Sequence, residues 1–244
     1  MEHSTNLHCG QLFATCLTDV HAAVWHTATG MLVRVLQDSI PGDVTARSAA
    51  WSPDGTLLAT SSRDGSTTVW EVATFEDKLT LKPRTFSARS EVTSVAWSPN
   101  GLQTCTASGD GITRLWDVGT GDLVYELAWR ATQSDFVGRG QLVAWSPDST
   151  FVASAPGDGT VKVWDAATGA ATRVLGGHAS PVSSVAWSPG GSMLVSGTAK
   201  DTAQVWDAAT GTVMHTVEGG RITVGAVAWS TDERLLAIAT KKVL

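Results

Sequence analysis

The feature that most constrains this chain is a tryptophan placed directly before a Ser-Pro turn, returning at near-constant spacing. Trp51-Ser52-Pro53-Asp54-Gly55 is followed by Trp97-Ser98-Pro99-Asn100-Gly101, Trp145-Ser146-Pro147-Asp148-Ser149 and Trp187-Ser188-Pro189-Gly190-Gly191. Trp229-Ser230-Thr231-Asp232 is a worn fifth copy, and the separations are 46, 48, 42 and 42 residues. A second tryptophan keeps step, in Val24-Trp25, Val69-Trp70, Leu115-Trp116, Val163-Trp164 and Val205-Trp206. Ten of the eleven tryptophans sit on this repeat, and Trp129 stands outside it. Self-similarity at such a period means one supersecondary unit stacked many times, because a single unit cannot bury its own apolar face.

Residues 49–74, AAWSPDGTLLATSSRDGSTTVWEVAT, show what the unit is. The run ending at Trp51 stops at Ser52-Pro53-Asp54-Gly55, where Pro presets φ, Asp bonds nearby amides and Gly tolerates the exit geometry. Thr56 to Ser62 is β-branched and small, Arg63-Asp64-Gly65 is a second turn, and Ser66 to Glu71 is again β-branched. These are three strands of a meander, too small to bury both faces without neighbours.

A period of about 40–45 residues, four short strands and a closing Trp-Asp pair resemble the WD40 repeats that form β-propeller blades. Leu115-Trp116-Asp117, Val163-Trp164-Asp165 and Val205-Trp206-Asp207 carry the pair as written, while Trp25-His26 and Trp70-Glu71 are variants. The resemblance covers about residues 11 to 240. It implies that both tryptophans fill the gaps between adjacent blades. It also implies a buried hydrogen-bond set of His, Ser or Thr, Asp and the second tryptophan. Ten residues before Trp25, Trp70, Trp116, Trp164 and Trp206 stand Thr15, Thr60, Thr106, Ser154 and Ser196. Six residues before stand Asp19, Asp64, Asp110 and Asp158, but Lys200 in the fifth copy, and only His178 fills the His place. The set is partial.

With strands labelled a to d, a closing at the Trp-Ser-Pro turn and c at Trp-Asp, strand b recurs six times and strand a five. The expected fold is an all-β propeller in a single domain spanning 1–244. Residues 1–10 are frayed, being too polar for a strand a, and 11–37 form a partial blade. Complete blades run over 46–86, 91–128, 141–176 and 183–217, and 224–244 is a second partial blade. Two arrangements fit: the ends join and close a five-bladed ring, or the chain is a piece of a longer propeller. An unclosed propeller leaves strand edges open for pairing with another chain, a second copy included.

Composition enters where function is weighed. Hydrophobic residues at 43% against 16% charged suit a strand-rich globular chain, and the net charge of -6 disfavours a nucleic-acid backbone as main partner. Cys9, Cys16 and Cys105 are an odd, sparse set; Cys16 and Cys105 fall in b strands and read as buried small hydrophobes. The start at Met1 has no signal segment and no run is long enough to cross a bilayer, so a cytoplasmic setting is the default expectation. Catalytic signatures (Gly-x-Ser-x-Gly, a phosphate loop, His-Glu-x-x-His) are missing from the sequence, and no cofactor or metal is expected. The recurring Asp64-Gly65, Asp110-Gly111 and Asp158-Gly159 are turn chemistry.

What remains is a non-catalytic interaction scaffold. The family's binding face gathers the b–c and d–a loops. In this chain the most individual of them is Trp129-Arg130-Ala131-Thr132-Gln133-Ser134-Asp135-Phe136-Val137-Gly138-Arg139-Gly140. Trp and Arg are enriched at interface hot spots, which makes Trp129, Arg130, Phe136 and Arg139, with Arg63, Arg89 and Lys200, the candidate partner-binding residues. Peptides or other proteins are the expected partners.

Overall fold

A computed structural model describes residues 3–9, 11–17, 20–36, 46–83, 91–128, 142–155, 157–198, 202–218 and 222–242. All regular structure among them is β-strand, in six antiparallel sheets whose strands follow chain order. The first sheet holds β1 (His3–Cys9), β2 (Leu12–Leu17), β3 (Val20–His26) and β4 (Leu32–Val35). The second holds β5 (Ala46–Trp51), β6 (Leu57–Ser62), β7 (Thr67–Glu71) and β8 (Glu76–Leu81). The third holds β9 (Val92–Trp97), β10 (Gln103–Ser108), β11 (Ile112–Asp117) and β12 (Leu123–Ala128). In the fourth are β13 (Leu142–Trp145), β14 (Phe151–Ala155), β15 (Val161–Asp165) and β16 (Ala171–Leu175). In the fifth are β17 (Val182–Trp187), β18 (Met193–Thr198), β19 (Thr202–Asp207) and β20 (Val213–Glu218). The sixth has β21 (Ile222–Trp229) and β22 (Leu236–Lys242) alone. The chain divides into two compact units, Met1–Glu126 and Leu127–Leu244.

The amino-terminal segment corrects one expectation. Residues read as too polar for strand a form β1, paired with β2 through His3 opposite Cys16 and Thr5 opposite Ala14. The first sheet therefore has four strands rather than three. Main-chain N–H and C=O groups make the ladder, and every non-proline residue carries them, so side-chain polarity did not forbid the strand.

The turn chemistry repeats atom by atom. Ser52 Oγ accepts the Leu57 N–H at 2.9 Å and donates to Asp54 Oδ1 at 2.6 Å, while Asp54 accepts the Thr56 N–H at 3.1 Å. Ser146 with Asp148 and Ser230 with Asp232 reproduce the arrangement, and Asn100 stands in for the acid beside Ser98. The closing Asp of the Trp-Asp pair has a similar task at the opposite turn: Asp117, Asp165 and Asp207 accept the backbone N–H of Thr120, Thr168 and Thr210.

Both tryptophans do sit between sheets, but their N–H groups are satisfied differently. In the first unit, Trp70 joins Ala14, Val24, Leu36 and Leu58 in one cluster, and Trp116 joins Ala59, Val69, Leu81 and Val95 in the next. In the second unit, Trp206 packs with Ala153, Val163 and Leu175. Each of these indoles donates within its own sheet, to the strand-b hydroxyl opposite: Trp70 to Thr60 at 2.8 Å, Trp116 to Thr106 at 2.9 Å, Trp206 to Ser196 at 2.8 Å. The strand-a indoles instead reach back to the preceding sheet, Trp97 to the Ala50 carbonyl at 2.9 Å and Trp187 to Ala144 at 3.2 Å. Trp51 is the exception, its buried N–H lacking a partner.

Candidate interaction surface

Up-and-down strand order puts the b–c turn and the entry to strand a at the same end of each sheet. The b–c turns are rigid for a local reason. Gly65, Gly111 and Gly159 hold φ of 83°, 87° and 86°, values that cost a residue with a Cβ about 1–2 kcal/mol. The Asp before each glycine ties the turn down: Asp64 accepts the Ser66 N–H at 2.9 Å, Asp110 that of Ile112 at 3.0 Å, and Asp158 that of Thr160 at 2.9 Å. Burial pushes the Asp64 carboxyl upward, but bonds from Ser66 and the charge of Lys82 at 3.8 Å outweigh it and hold it below the usual carboxylate range. At Gly159 a Cβ would stand 2.7 Å from the His178 carbonyl, so this turn is wedged against the chain entering the fifth sheet.

Two residues before the strand-c tryptophan the sheets carry, in chain order, Ala23, Thr68, Arg114, Lys162 and Gln204. Arg114 is 2% exposed. It bonds Asp110 at 2.9 Å and Glu126 at 3.0 Å, with Ser108 at 3.3 Å. Lys162, the matching residue of the fourth sheet, lies 4.9 Å over the Trp164 ring, and burial lowers its pKa against the opposing pull of Asp158. Gln204 follows in the fifth sheet, with its Oε1 buried and unpartnered. In the first unit Arg47 and Glu91 pair at 2.6 Å. Sequence reasoning missed Arg114 and Lys162; the available signal was a cation inside an apolar strand with an acid in the adjoining turn.

His178 approaches Ser196 Oγ through Nε2 at 2.6 Å, and its ring meets Trp206 edge-on at 5.9 Å. Ser196 Oγ also accepts the Trp206 N–H, and the other ring nitrogen of His178, Nδ1, is buried without a partner. Burial lowers the His178 pKa to about 4. Lys200 and Asp201, where the repeat places its acid, lie outside the described residues, as does Asp19.

Trp25 and Trp164 make the same bonds as their counterparts, to Thr15 and Ser154, both at 2.8 Å. Of the candidate partner-binding residues, Arg63 stands exposed on the β6–β7 turn. Trp129, Arg130, Phe136, Arg139, Arg89 and Lys200 lie outside the described residues. Cys16 and Cys105 are buried thiols outside any disulfide, and burial pushes the Cys16 pKa up to about 12. Among the described residues, no group of three or more His, Cys, Asp and Glu is arranged to hold a metal, and no helix is long and apolar enough to cross a membrane.

The WD domain, G-beta repeat model matches residues 30–71, 82–117, 143–165 and 169–207, together more than half of the chain. The chain is also similar to WD repeat, SAM and U-box domain-containing protein 1 of Danio rerio, 40% identical over 63 residues. That match covers 26% of this chain and 12% of the relative's length.

Proposed function

The chain belongs to the WD40-repeat family, and from that premise we propose that it is a non-catalytic platform that takes protein or peptide partners on its blade-end loops. WD40 repeats generally mediate contact between proteins. The observation that supports the loops here is the division of labour within each sheet. Strand hydroxyls and indoles are consumed in packing, whereas Arg63 is carried outward on a turn that Asp64 and Gly65 hold in one conformation. A pre-organised turn loses little entropy when a partner binds.

On this reading Trp129, Arg130, Phe136 and Arg139 form the anchor loop, and Arg63, Arg89 and Lys200 supply charge for an acidic partner segment in the cytoplasm. The similarity to a protein named for WD, SAM and U-box parts supports a second reading, a regulatory WD40 portion of a larger multidomain protein. A structural role in a cytoskeletal, ciliary or other assembly belongs to the same class.

The test is affinity capture from native cells with wild type, Arg63→Glu and the pair Trp129→Ala with Arg139→Ala. Loss of the same captured protein from both variants, at an unchanged melting temperature, is the expected result. Undiminished capture by both would remove these loops from the interface.

A further inference from the structure

The second and third sheets, both in the first unit, close around a charge. Ala59 of β6 and Val69 of β7 pack against Val95, Trp97 and Trp116 of the third sheet. Side chains alternate along a strand, so Ser61 and Thr67, each two residues nearer the b–c turn, belong to that same face. Arg114 stands two residues before Trp116, on the Trp116 face and likewise toward the b–c turn, and so lies across from them. After Trp206 it is the largest fully enclosed side chain among the described residues.

What faces this strand-c place changes with its chemistry. In the first unit Cys16 and Ala22 cluster with Trp70 and face Thr68, whereas Ser61 and Thr67 face Arg114. In the second unit Ala155 and Val161 cluster with Trp206 and face Gln204. Of these three side chains, the cation is the one met by hydroxyl groups.

The two hydroxyls have no evident task in the protein itself. Both residues are 1% exposed, and Ser61 Oγ and Thr67 Oγ1 are buried with no hydrogen-bond partner among the described residues. They oppose each other on β6 and β7. The adjacent rung carries the main-chain bond, Ser62 N–H to the Ser66 carbonyl, which makes theirs a non-bonded rung with Cα atoms about 4.5 Å apart. One oxygen placed between such side chains can bond both at about 2.8 Å. Arg114 can supply a third bond. Its Nε–H goes to Glu126, Nη1 to Ser108 and Asp110, and one Nη2 N–H to Asp110, and a guanidinium carries five N–H groups.

Charge decides what kind of molecule fits. Arg114 already has two carboxylates, Asp110 at 2.9 Å and Glu126 at 3.0 Å, so an added anion would meet net negative charge and a metal cation would meet the guanidinium. A neutral molecule that both donates and accepts is left. We propose that Ser61, Thr67 and Arg114 form a binding site for one buried water molecule, which links the strands below the Arg63–Gly65 turn of the second sheet to the Asp110–Gly111 turn of the third. Three polar partners are what an internal water typically has. The site does not depend on partner binding by the loops, and either can fail alone.

The test is oxygen-17 magnetic relaxation dispersion on the full chain, which registers water oxygen held inside a protein and is blind to exchanging hydroxyl protons, run beside chemical denaturation. Ser61→Ala with Thr67→Val installs the pair that the fourth sheet carries at Ala155 and Val161. This variant is expected to lose one long-lived water and to raise the unfolding equilibrium constant about tenfold. Thr67→Ser keeps a hydroxyl and retains the water. Thr67→Val alone, a milder change that serves should the double variant not fold, lowers the denaturation midpoint and weakens the dispersion signal. A midpoint that rises in either valine variant would mean that the hydroxyls are dry and merely unsatisfied, and that result overturns the proposal. So does a dispersion signal that is the same in the wild type and the folded valine variants.

Discussion

A single hydroxyl on Ser196 is shared between the Trp206 indole and the His178 imidazole, in bonds of 2.8 and 2.6 Å. Because burial lowers the folded-state pKa of His178 to about 4, while an unfolded histidine titrates near 6.5, the unfolded chain binds the proton first. The His178 contribution to stability is therefore complete above about pH 6.5 and is lost as pH falls toward 4. Carboxylates such as Asp54, Asp148 and Asp207, all held below their ordinary value of 3.8, act in a lower window. Denaturation midpoints measured from pH 7 to 4 are expected to fall for wild type. In His178→Asn the midpoint starts lower and changes less over that interval. Parallel slopes for the two proteins would mean that the imidazole stays hydrated.

At the scale of strands and sheets, the recurring turns and the b, c and d strands were readable because each has its own local cause. Asp-Gly and Ser-Pro sequences set the turns, and β-branched runs set the strands between them. β1 was not readable, since its pairing with β2 rests on main-chain groups that no side-chain pattern announces. Contacts between consecutive sheets were equally hidden. Gly197 in β18 is a case: a Cβ there would stand 2.5 Å from Val224 Cγ1 and 3.2 Å from Val227 Cγ1. Gly197→Val should accordingly force β21 off the fifth sheet, where Ser183 and Ser184 also bond it at Val224 and Val227. Overpacking of this kind costs about 1–3 kcal/mol. Hydrogen exchange should quicken across Ile222–Trp229 while β14 and β15 keep their protection. Unchanged exchange in β21 would show that the two valines can yield.

For the molecule as a whole, periodicity carried most of what was legible. Ten indoles at near-constant spacing require stacked equivalent sheets, whatever the residues between them do. The same regularity conceals what is particular to each copy. Arg114, Lys162 and Gln204 occupy one register position with different chemistry, and Val217 is exposed at a place where Leu36, Leu81, Leu127 and Leu175 are buried. Burial of that kind depends on what lies alongside, not on local sequence. Stacked repeats draw stability from their nearest neighbours, so protection should be graded across Leu127–Leu244. β18 has β17 and β19 as ladder partners and Leu194, Val195 and Ser196 fully enclosed. β22 has one ladder partner and exposed Ala237, Ala239 and Thr240. Local opening free energies run from near zero at frayed elements to the global value in the core. Native-state exchange should therefore rank β22 fastest, β21 next, and β14, β15, β18 and β19 slowest. Equal protection of β22 and β18 would mean that the number of ladder partners does not govern local opening in this unit.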